Sequence, residues 1–274
     1  IPARGTISLT RRLMLKKRES YDALYRDFRW QIPQKFNIGV AVSDRWAQID
    51  PDRIAIQSYQ GEGNSTALTF DALARQSDSL ANTLTGLGIG RGDRVALLLP
   101  QSFEAAISHV AIYKMGAIGV PLALLFGVEA LEYRLRASGA KAVITNASGA
   151  ATLQPIRAKL PELMHVLVTE GNGHGLPFQE LLTSGDGYKA AETTPDDPAL
   201  MIFTSGTTGP PKGALHGHRV LLGHMPGFEM AYQFPPQADD VMWTPADWAW
   251  AGGLLNAMLP ALFLGIPVVA GRFE

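Results

Sequence analysis

Short apolar segments alternate with longer amphipathic segments through the middle of this chain, and this alternation is the feature that most limits its fold. Segments of strand length occur at 95–99, 119–122, 142–145 and 166–168, with helical patterns at 104–114, 128–137 and 150–160. Because the short segments are apolar on both faces and helices separate them, they predict a parallel sheet with right-handed crossovers. We therefore predict an α/β fold with doubly wound, mainly parallel sheets and helices on both faces.

Composition is that of an ordinary globular protein. The chain has 274 residues, 46% of them hydrophobic and 18% charged, with a formal net charge of −1. This near-neutral balance gives no electrostatic reason to expect a nucleic acid as partner, and no apolar stretch reaches the length of a membrane span. The absence of cysteine excludes disulfides, thiolate metal sites and cysteine nucleophiles. The oligomeric state is not indicated by the sequence.

The segment 201–213, MIFTSGTTGPPKG, has the pattern of a strand that leads into a phosphate-binding loop. It combines glycines that permit positive φ, hydroxyl donors and one cation, namely Gly206, Gly209, Gly213, Thr204, Ser205, Thr207, Thr208 and Lys212. This set of groups suits a polyphosphate, although the order matches neither GxxxxGK[ST] nor GxGxxG. Since the loop follows a strand, we expect it at the carboxyl edge of the sheet, where ligands bind, with the next helix over 216–231.

The motif TSGTTGPPKG after an apolar strand resembles the signature loop of the adenylate-forming acid:CoA ligases. That superfamily includes acyl-CoA synthetases, luciferases and the adenylation domains of peptide synthetases. The resemblance implies that residues 204–212 hold the β- and γ-phosphates of ATP while a carboxylate attacks the α-phosphate. It further implies Mg²⁺ as cofactor and CoA as cosubstrate. The implied catalytic residues are Thr204 and Lys212, and the implied ATP-binding residues are Thr204, Ser205, Gly206, Thr207, Thr208, Gly209 and Lys212.

Tryptophan and small residues are concentrated at 243–253, WTPADWAWAGG. From the residues alone, this segment either forms a slot or only packs in the core. It resembles the W-x-x-(A/S)-D-x-x-W-x-x-G stretch of acetyl- and medium-chain acyl-CoA synthetases, which implies that Trp250 is a wall of the acyl pocket. The same resemblance implies that Ala251 and Gly252 limit acyl length. Because both are small, we expect a medium-chain or aromatic carboxylate rather than acetate.

The resemblance extends over about 36–274 and corresponds to the first half of the family. It implies the incomplete N-terminal domain of an acyl-CoA synthetase-like fold, without the C-terminal domain, so we expect this chain alone to be inactive. Within 41–274 we predict one α/β subdomain at about 75–230 and an incomplete second subdomain from 41–74 and 231–274. Residues 1–40 are expected to form a basic arm and a helix whose aromatic face, Tyr21, Tyr25 and Phe28, packs on the main body.

Several alternatives stay open or are disfavoured. The parent protein is an acid:CoA ligase, an adenylating enzyme that serves a carrier protein, or a non-catalytic half-synthetase. The basic start fits a solvated arm, and hence a cytoplasmic protein, or the end of a transit peptide to the mitochondrial matrix. Asp196 and Asp197 before Pro198 suit helix caps or a solvated turn better than a metal, and His216 and His218 share no helix face for zinc. We therefore predict no protein metal site.

Overall fold

The structure, a computed structural model, describes residues 13–59, 65–170, 175–182, 187–204 and 209–271. Its strands are β1 (Ile54–Tyr59), β2 (Ser65–Thr69), β3 (Arg94–Leu98), β4 (Ile118–Pro121), β5 (Ala142–Thr145), β6 (His165–Val168), β7 (Leu176–Pro177), β8 (Pro198–Thr204), β9 (Lys212–Gly217) and β10 (Val268–Ala270). Its helices are α1 (Tyr21–Asp27), α2 (Ile38–Val42), α3 (Asp44–Ile49), α4 (Phe70–Gly86), α5 (Phe103–Lys114), α6 (Val128–Ser138), α7 (Ala147–Leu153), α8 (Phe178–Leu181), α9 (Val220–Ala231), α10 (Ala251–Gly253) and α11 (Leu259–Leu264). A 3₁₀ turn (Gln154–Lys159) follows α7, and a π-helical segment (Leu254–Met258) joins α10 to α11.

The strands form two sheets. A seven-stranded sheet has the order β7-β6-β5-β3-β4-β8-β9, and a three-stranded sheet has the order β10-β1-β2. All neighbours in the larger sheet are parallel except β8 and β9, which are antiparallel. In the smaller sheet β1 is parallel to β10 and antiparallel to β2. The predicted α/β class with a mainly parallel sheet is confirmed, while the division into two subdomains stays a prediction.

The central strands of the larger sheet, β3, β4 and β5, are buried on both faces, as their apolar sequences predicted. Val95 and Leu97 of β3 belong to the larger core, together with residues of α4, α5, α9 and α11. Ala96 and Leu98 point to the opposite face and belong to a second core with residues of α6 and α7. Successive strand residues therefore pack in different layers, because side chains alternate across a strand.

Within the described residues, no helix has the length and hydropathy needed to cross a membrane.

The prediction for 216–231 is wrong at its start. Residues up to Gly217 belong to β9, which pairs with β8, and the helix begins only at Val220. The predicted helix 150–160 also differs, since α7 starts at Ala147 and gives way to a 3₁₀ turn at Gln154. Pro155 explains that change, because proline lacks the N–H that an α-helix interior uses.

The aromatic face of α1 does not pack on the main body. The helix forms where predicted and is capped by Ser20, but none of its residues is buried, and Tyr21 and Tyr25 are 64% and 75% exposed. The segment before it is anchored instead by Glu229, a buried residue of α9. Its carboxylate accepts hydrogen bonds from the backbone N–H groups of Met14, at 2.8 Å, and Leu15, at 2.7 Å.

A buried cation ties three helices together, α5, α3 and α4. The side chain of Lys114, at the end of α5, is fully buried and donates to Asp44 of α3 at 3.0 Å and to Asp78 of α4 at 2.6 Å. A third bond reaches the carbonyl of Ala74 at 3.1 Å, so all three ammonium protons are used. Gly39 of α2 fits against this group because a Cβ there would lie 2.7 Å from the carbonyl oxygen of Val110.

We expect Lys114→Met to lower the free energy of unfolding by about 3 kcal/mol, because two carboxylates then lose their buried partner. Urea denaturation of the two proteins measures the difference. Arg75→Met is the matched control, since Arg75 pairs with Asp71 at 2.8 Å on the surface and exposed pairs contribute at most about 1 kcal/mol. Equal losses in the two variants would contradict a special role for Lys114.

Candidate nucleotide and acyl site

A β-hairpin holds the two ends of the predicted phosphate loop. Strand β8 ends at Thr204 and strand β9 begins at Lys212, and these two residues are direct cross-strand partners. Antiparallel partners have Cα atoms about 5 Å apart, so the hydroxyl and the ammonium group start side by side where the loop leaves the sheet. Both residues are exposed. Ser205, Gly206, Thr207 and Thr208, predicted to bind ATP, lie outside the described residues.

Two local features fix this hairpin. Gly213, opposite Phe203, leaves space for the side chain of Met201, whose sulfur would lie only 2.9 Å from a Cβ at that position. On the far side of the loop, the hydroxyl of Tyr133 in α6 donates to the carbonyl of Pro211 at 2.9 Å. Gly209 has a φ of 88°, a left-handed conformation that favours glycine. The described end of the loop is therefore tied to both β8 and α6.

An aromatic and cationic stack connects the loop strand to Trp250. The ring of Trp250 meets the ring of Phe126 edge to face, with centroids 5.7 Å apart. The guanidinium of Arg134 lies 4.0 Å from the centroid of Phe126 and 5.9 Å from that of Phe203, the residue before Thr204. Trp250 and the opening of the loop are thus two ends of one packed row.

The sequence analysis did not identify Phe126, Arg134 or Tyr133 as site residues. Phe126 lies in the connection after β4, at the carboxyl edge of the sheet, and that position is a signal for a ligand-facing residue. Arg134 and Tyr133 follow on α6, which the sequence indicated only as an amphipathic helix. Their contacts with Phe203 and Pro211 join segments far apart in the chain and have no local sequence pattern.

The tryptophan segment is held by Gln101, which follows β3. Its side-chain amide donates to the carbonyls of Thr244, at 3.1 Å, and Ala246, at 2.8 Å. Within the segment the three tryptophans differ, because Trp248 is 2% exposed, whereas Trp243 and Trp250 are 44% and 42% exposed. Core packing therefore accounts for Trp248, whereas Trp250 presents its ring at the surface.

The residues after Trp250 differ in the space around them. A Cβ at Gly253 would lie 2.4 Å from the carbonyl oxygen of Asp247, so this glycine is required for close backbone approach. A Cβ at Gly252 would have no atom within 4 Å. Gly252 is exposed and Ala251 is half-buried. The described surface beside Trp250 is consequently open at Gly252, whereas Ala251, the other position predicted to limit acyl length, packs partly against the core.

Comparison with known families decides the affiliation of this fold and site. The profile of the AMP-binding enzyme family matches residues 43–272. The chain belongs to the AMP-binding enzyme family. This match includes the hairpin loop, Trp250 and both sheets, and it confirms the affiliation that the TSGTTGPPKG motif predicted.

Relatives within this family include acyl- and acetyl-CoA synthetases. The mitochondrial acyl-coenzyme A synthetase ACSM4 of Homo sapiens is 31% identical over 252 residues, which are 88% of this chain and 43% of that protein. Acetyl-coenzyme A synthetase 2 of Zygosaccharomyces bailii is 30% identical over 275 residues, which are 90% of this chain and 40% of that protein. The chain spans less than half the length of these curated relatives.

Solved structures of the AMP-binding family share the fold. The acyl-CoA synthetase of Brucella canis superimposes with a TM-score of 0.80 at 28% identity, over 93% of this chain and 48% of that one. The anthranilate CoA ligase AuaEII in complex with anthranoyl-AMP gives a TM-score of 0.78 at 25% identity, over 89% of this chain and 46% of that one. The described sheets are those of acyl-CoA ligase N-terminal domains.

The three histidines near the loop have separate environments in this AMP-binding fold. His218 is buried, and its Nδ1 accepts a hydrogen bond from the backbone N–H of Ile38 at 3.1 Å. His216 is half-buried on β9; burial first and the nearby His224 second lower its pKa. His224 pairs through Nδ1 with Oδ1 of Asn256 at 2.6 Å. In the part of the chain that the structure describes, no three metal-ligating side chains cluster.

The acidic pair before β8 is used in a turn and in ion pairs. The backbone N–H of Thr194 donates to Asp197 at 2.6 Å, and Arg91 binds the same carboxylate at 2.8 Å. Asp196 forms an ion pair with Arg219. Accordingly the backbone N–H of Thr194 and the Arg91 guanidinium lower the pKa of Asp197. The turn interpretation of these residues agrees with this geometry.

Two buried imidazoles make stability depend on pH. Burial lowers the pKa of His109 to about 3 and that of His218 to about 4, from an ordinary value of 6.5. Above pH 6.5 these imidazoles are neutral in both the folded and the unfolded protein. Between pH 6.5 and their lowered pKa values only the unfolded protein takes up protons, so the free energy of unfolding falls as pH falls. We expect a loss of about 2 kcal/mol per imidazole between pH 7 and pH 5.

Denaturation at several pH values tests this expectation. His218→Asn retains a side-chain acceptor for Ile38 and removes one titrating group, so its stability should fall about half as steeply as that of the wild type over this interval. The same slope in both proteins would show that His218 does not contribute to the pH dependence.

Proposed function

We propose that the protein containing this chain is an ATP-dependent carboxylic acid:CoA ligase. The carboxylate oxygen attacks the α-phosphorus of ATP, the bond to the β-phosphate breaks, and pyrophosphate leaves an acyl-adenylate. The sulfur of CoA then attacks the acyl carbonyl, the thiol proton is lost, and AMP leaves. The single observation that carries this proposal is the pairing of Thr204 with Lys212 at a loop joined through Phe126 and Arg134 to Trp250.

In this proposal the loop acts on the leaving group. Lys212 neutralises charge on the departing pyrophosphate, and the hydroxyl of Thr204 donates to a phosphate oxygen. The remaining proposed ATP ligands are Ser205, Gly206, Thr207, Thr208 and Gly209. Mg²⁺ bound to ATP would reduce repulsion between the phosphates. No described group of three His, Asp or Glu side chains is suited to hold it, so we derive no step from the metal.

The proposed substrate is a medium-chain or aromatic carboxylic acid. Trp250 is the proposed wall beside the carboxylate, with Ala251 and Gly252 next along the acyl group. Space at Gly252 supports this choice, since a bulkier residue there would close the surface. The fold shared with AuaEII, an anthranilate CoA ligase crystallised with anthranoyl-AMP, also supports an aromatic acid.

The relatives also support proposals for the acyl acceptor and for the cellular location of the protein. Acyl- and acetyl-coenzyme A synthetases among the relatives favour CoA over a carrier protein as the proposed acceptor. The location proposed from the sequence was cytoplasmic, with the mitochondrial matrix as alternative. Mitochondrial ACSM relatives in human and mouse support the alternative.

Pyrophosphate release from ATP and Mg²⁺ tests the proposal directly. The gene product that contains this chain is assayed with acetate, butyrate, octanoate and benzoate. We expect octanoate or benzoate to have the highest kcat/KM. The ligase proposal fails if no acid stimulates release, and the substrate proposal fails if acetate ranks first.

We expect Lys212→Ala to lower kcat for pyrophosphate release about 100-fold with an unchanged fold, because a charge-assisted contact to the leaving group is lost. Lys189→Ala is the control, since Lys189 is also an exposed lysine but lies outside the loop. Single-turnover adenylation measures both variants. An unaltered rate in Lys212→Ala would remove this residue from the mechanism.

We expect Gly252→Trp to shorten the preferred acyl chain, because an indole at this open position occupies the space beside Trp250. The ratio of kcat/KM for octanoate to that for butyrate should fall by about 10–200-fold. Gly86→Ala is the control, since Gly86 also has no atom within 4 Å of a Cβ but lies in α4. A ratio that does not change would exclude Gly252 from the acyl site.

A further inference from the structure

A polar pair joins two helices next to the proposed acyl site. His224 of α9 and Asn256 of the π-helical segment are linked by a 2.6 Å hydrogen bond between Nδ1 and Oδ1. These helical segments pack against each other, so the pair spans the seam between them. A π-helical turn inserts an extra residue and changes the direction of its side chains, a feature often found at functional sites.

The hydrogen bond defines what the pair offers to a ligand. With Oδ1 of Asn256 as the acceptor, Nδ1 of His224 carries a proton, and in the tautomer protonated only at Nδ1 the other nitrogen, Nε2, is an acceptor. The amide nitrogen of Asn256 keeps its two donors. Neither Nε2 nor this amide nitrogen has another partner among the described residues. One free acceptor and one free donor therefore lie side by side.

The pair lies on the same surface as Gly252. Asn256 follows Gly252 by four residues, about one helical turn or roughly 5–6 Å along the axis. Both are exposed, whereas Leu254, Leu255 and Ala257 between and beside them are buried. The neighbouring surface of α9 is also bare, since a Cβ at Gly223 or Gly227 would have no atom within 4 Å. We call the exposed surface from Gly252 to Asn256 the open strip; it ends at the polar pair of His224 and Asn256.

We propose that His224 and Asn256 bind a hydroxyl or amino group at the far end of the acyl substrate. A hydroxyl satisfies both atoms, because it donates to Nε2 of His224 and accepts from the amide of Asn256. A purely apolar tail would leave both groups desolvated and unpaired, which is costly. This inference rests on the proposed ligase function and narrows its substrate class to ω-hydroxylated or ring-substituted acids.

The test compares acids that differ by one hydroxyl. The gene product containing this chain is assayed for pyrophosphate release with benzoate against 4-hydroxybenzoate and with hexanoate against 6-hydroxyhexanoate. We expect the wild type to favour the hydroxylated acid of at least one pair by about tenfold in kcat/KM. In Asn256→Leu and His224→Phe this preference disappears, and kcat/KM for benzoate and hexanoate does not fall, because an apolar tail no longer leaves polar groups unpaired.

Asn82→Leu is the matched control, because Asn82 belongs to α4 and its amide donates to the carbonyl of Gly187 instead. It should keep the wild-type preference. A wild type without preference, or an Asn256→Leu variant that retains it, overturns the inference.

A direct binding measurement separates this inference from the ligase proposal. Calorimetry of 4-hydroxybenzoate binding is performed on the wild type and on Asn256→Leu. If no acid releases pyrophosphate but binding still weakens about tenfold in the variant, the ligase proposal fails and the polar site stands. If release occurs and binding is equal in both proteins, the ligase proposal stands and the polar site fails.

Discussion

The antiparallel pairing of β8 with β9 is the constraint on which the candidate site depends. Every other neighbour in the larger sheet is parallel, so among the described strands of that sheet this is the one pair joined by a direct reversal of the chain. A parallel neighbour needs a long crossover, whereas an antiparallel one needs only a hairpin. The pairing thus keeps both ends of the loop at one edge of the sheet and sets Thr204 opposite Lys212.

The same sheet order places the stack that leads to Trp250, the proposed wall of the acyl site, next to the loop. Strand β4 lies between β3 and β8, so the connection after β4 leaves the sheet next to the end of β8. Phe126 in that connection and Phe203 near the end of β8 then lie on either side of Arg134. Burial lowers the pKa of this guanidinium, and Tyr133 partly opposes the shift. A delocalised cation tolerates contact with ring faces better than a strongly hydrated ammonium group does.

The local sequence pattern was sufficient to predict the buried strands of the larger sheet but not its edge strand β9. Strands β3 to β6 were predicted within about a residue because burial on both faces leaves an apolar run. Strand β9, Lys-Gly-Ala-Leu-His-Gly, has no apolar run, because it lies at the edge of the sheet. It forms a strand through its pairing with β8, which its own sequence does not indicate. For α1 the spacing of Tyr21 and Tyr25 predicted the helix correctly, but periodicity does not supply a surface to cover that face. The row from Trp250 to Phe203 was missed because it joins distant segments.

Glycine has two opposite roles around the candidate site, and the difference between them bears on the proposed acyl specificity. At Gly253 a Cβ would lie 2.4 Å from the carbonyl oxygen of Asp247, so the backbone itself requires glycine there, and at Gly213 a Cβ would press on the side chain of Met201. At Gly252, Gly223 and Gly227 a Cβ would meet nothing within 4 Å, so packing among the described residues does not require glycine there. Side chains at the second group alter the open surface without moving the backbone. In the proposed ligase, discrimination between acids therefore depends on the second group and on the polar pair that ends the strip, while the hairpin and the stack position the proposed ATP and acyl sites.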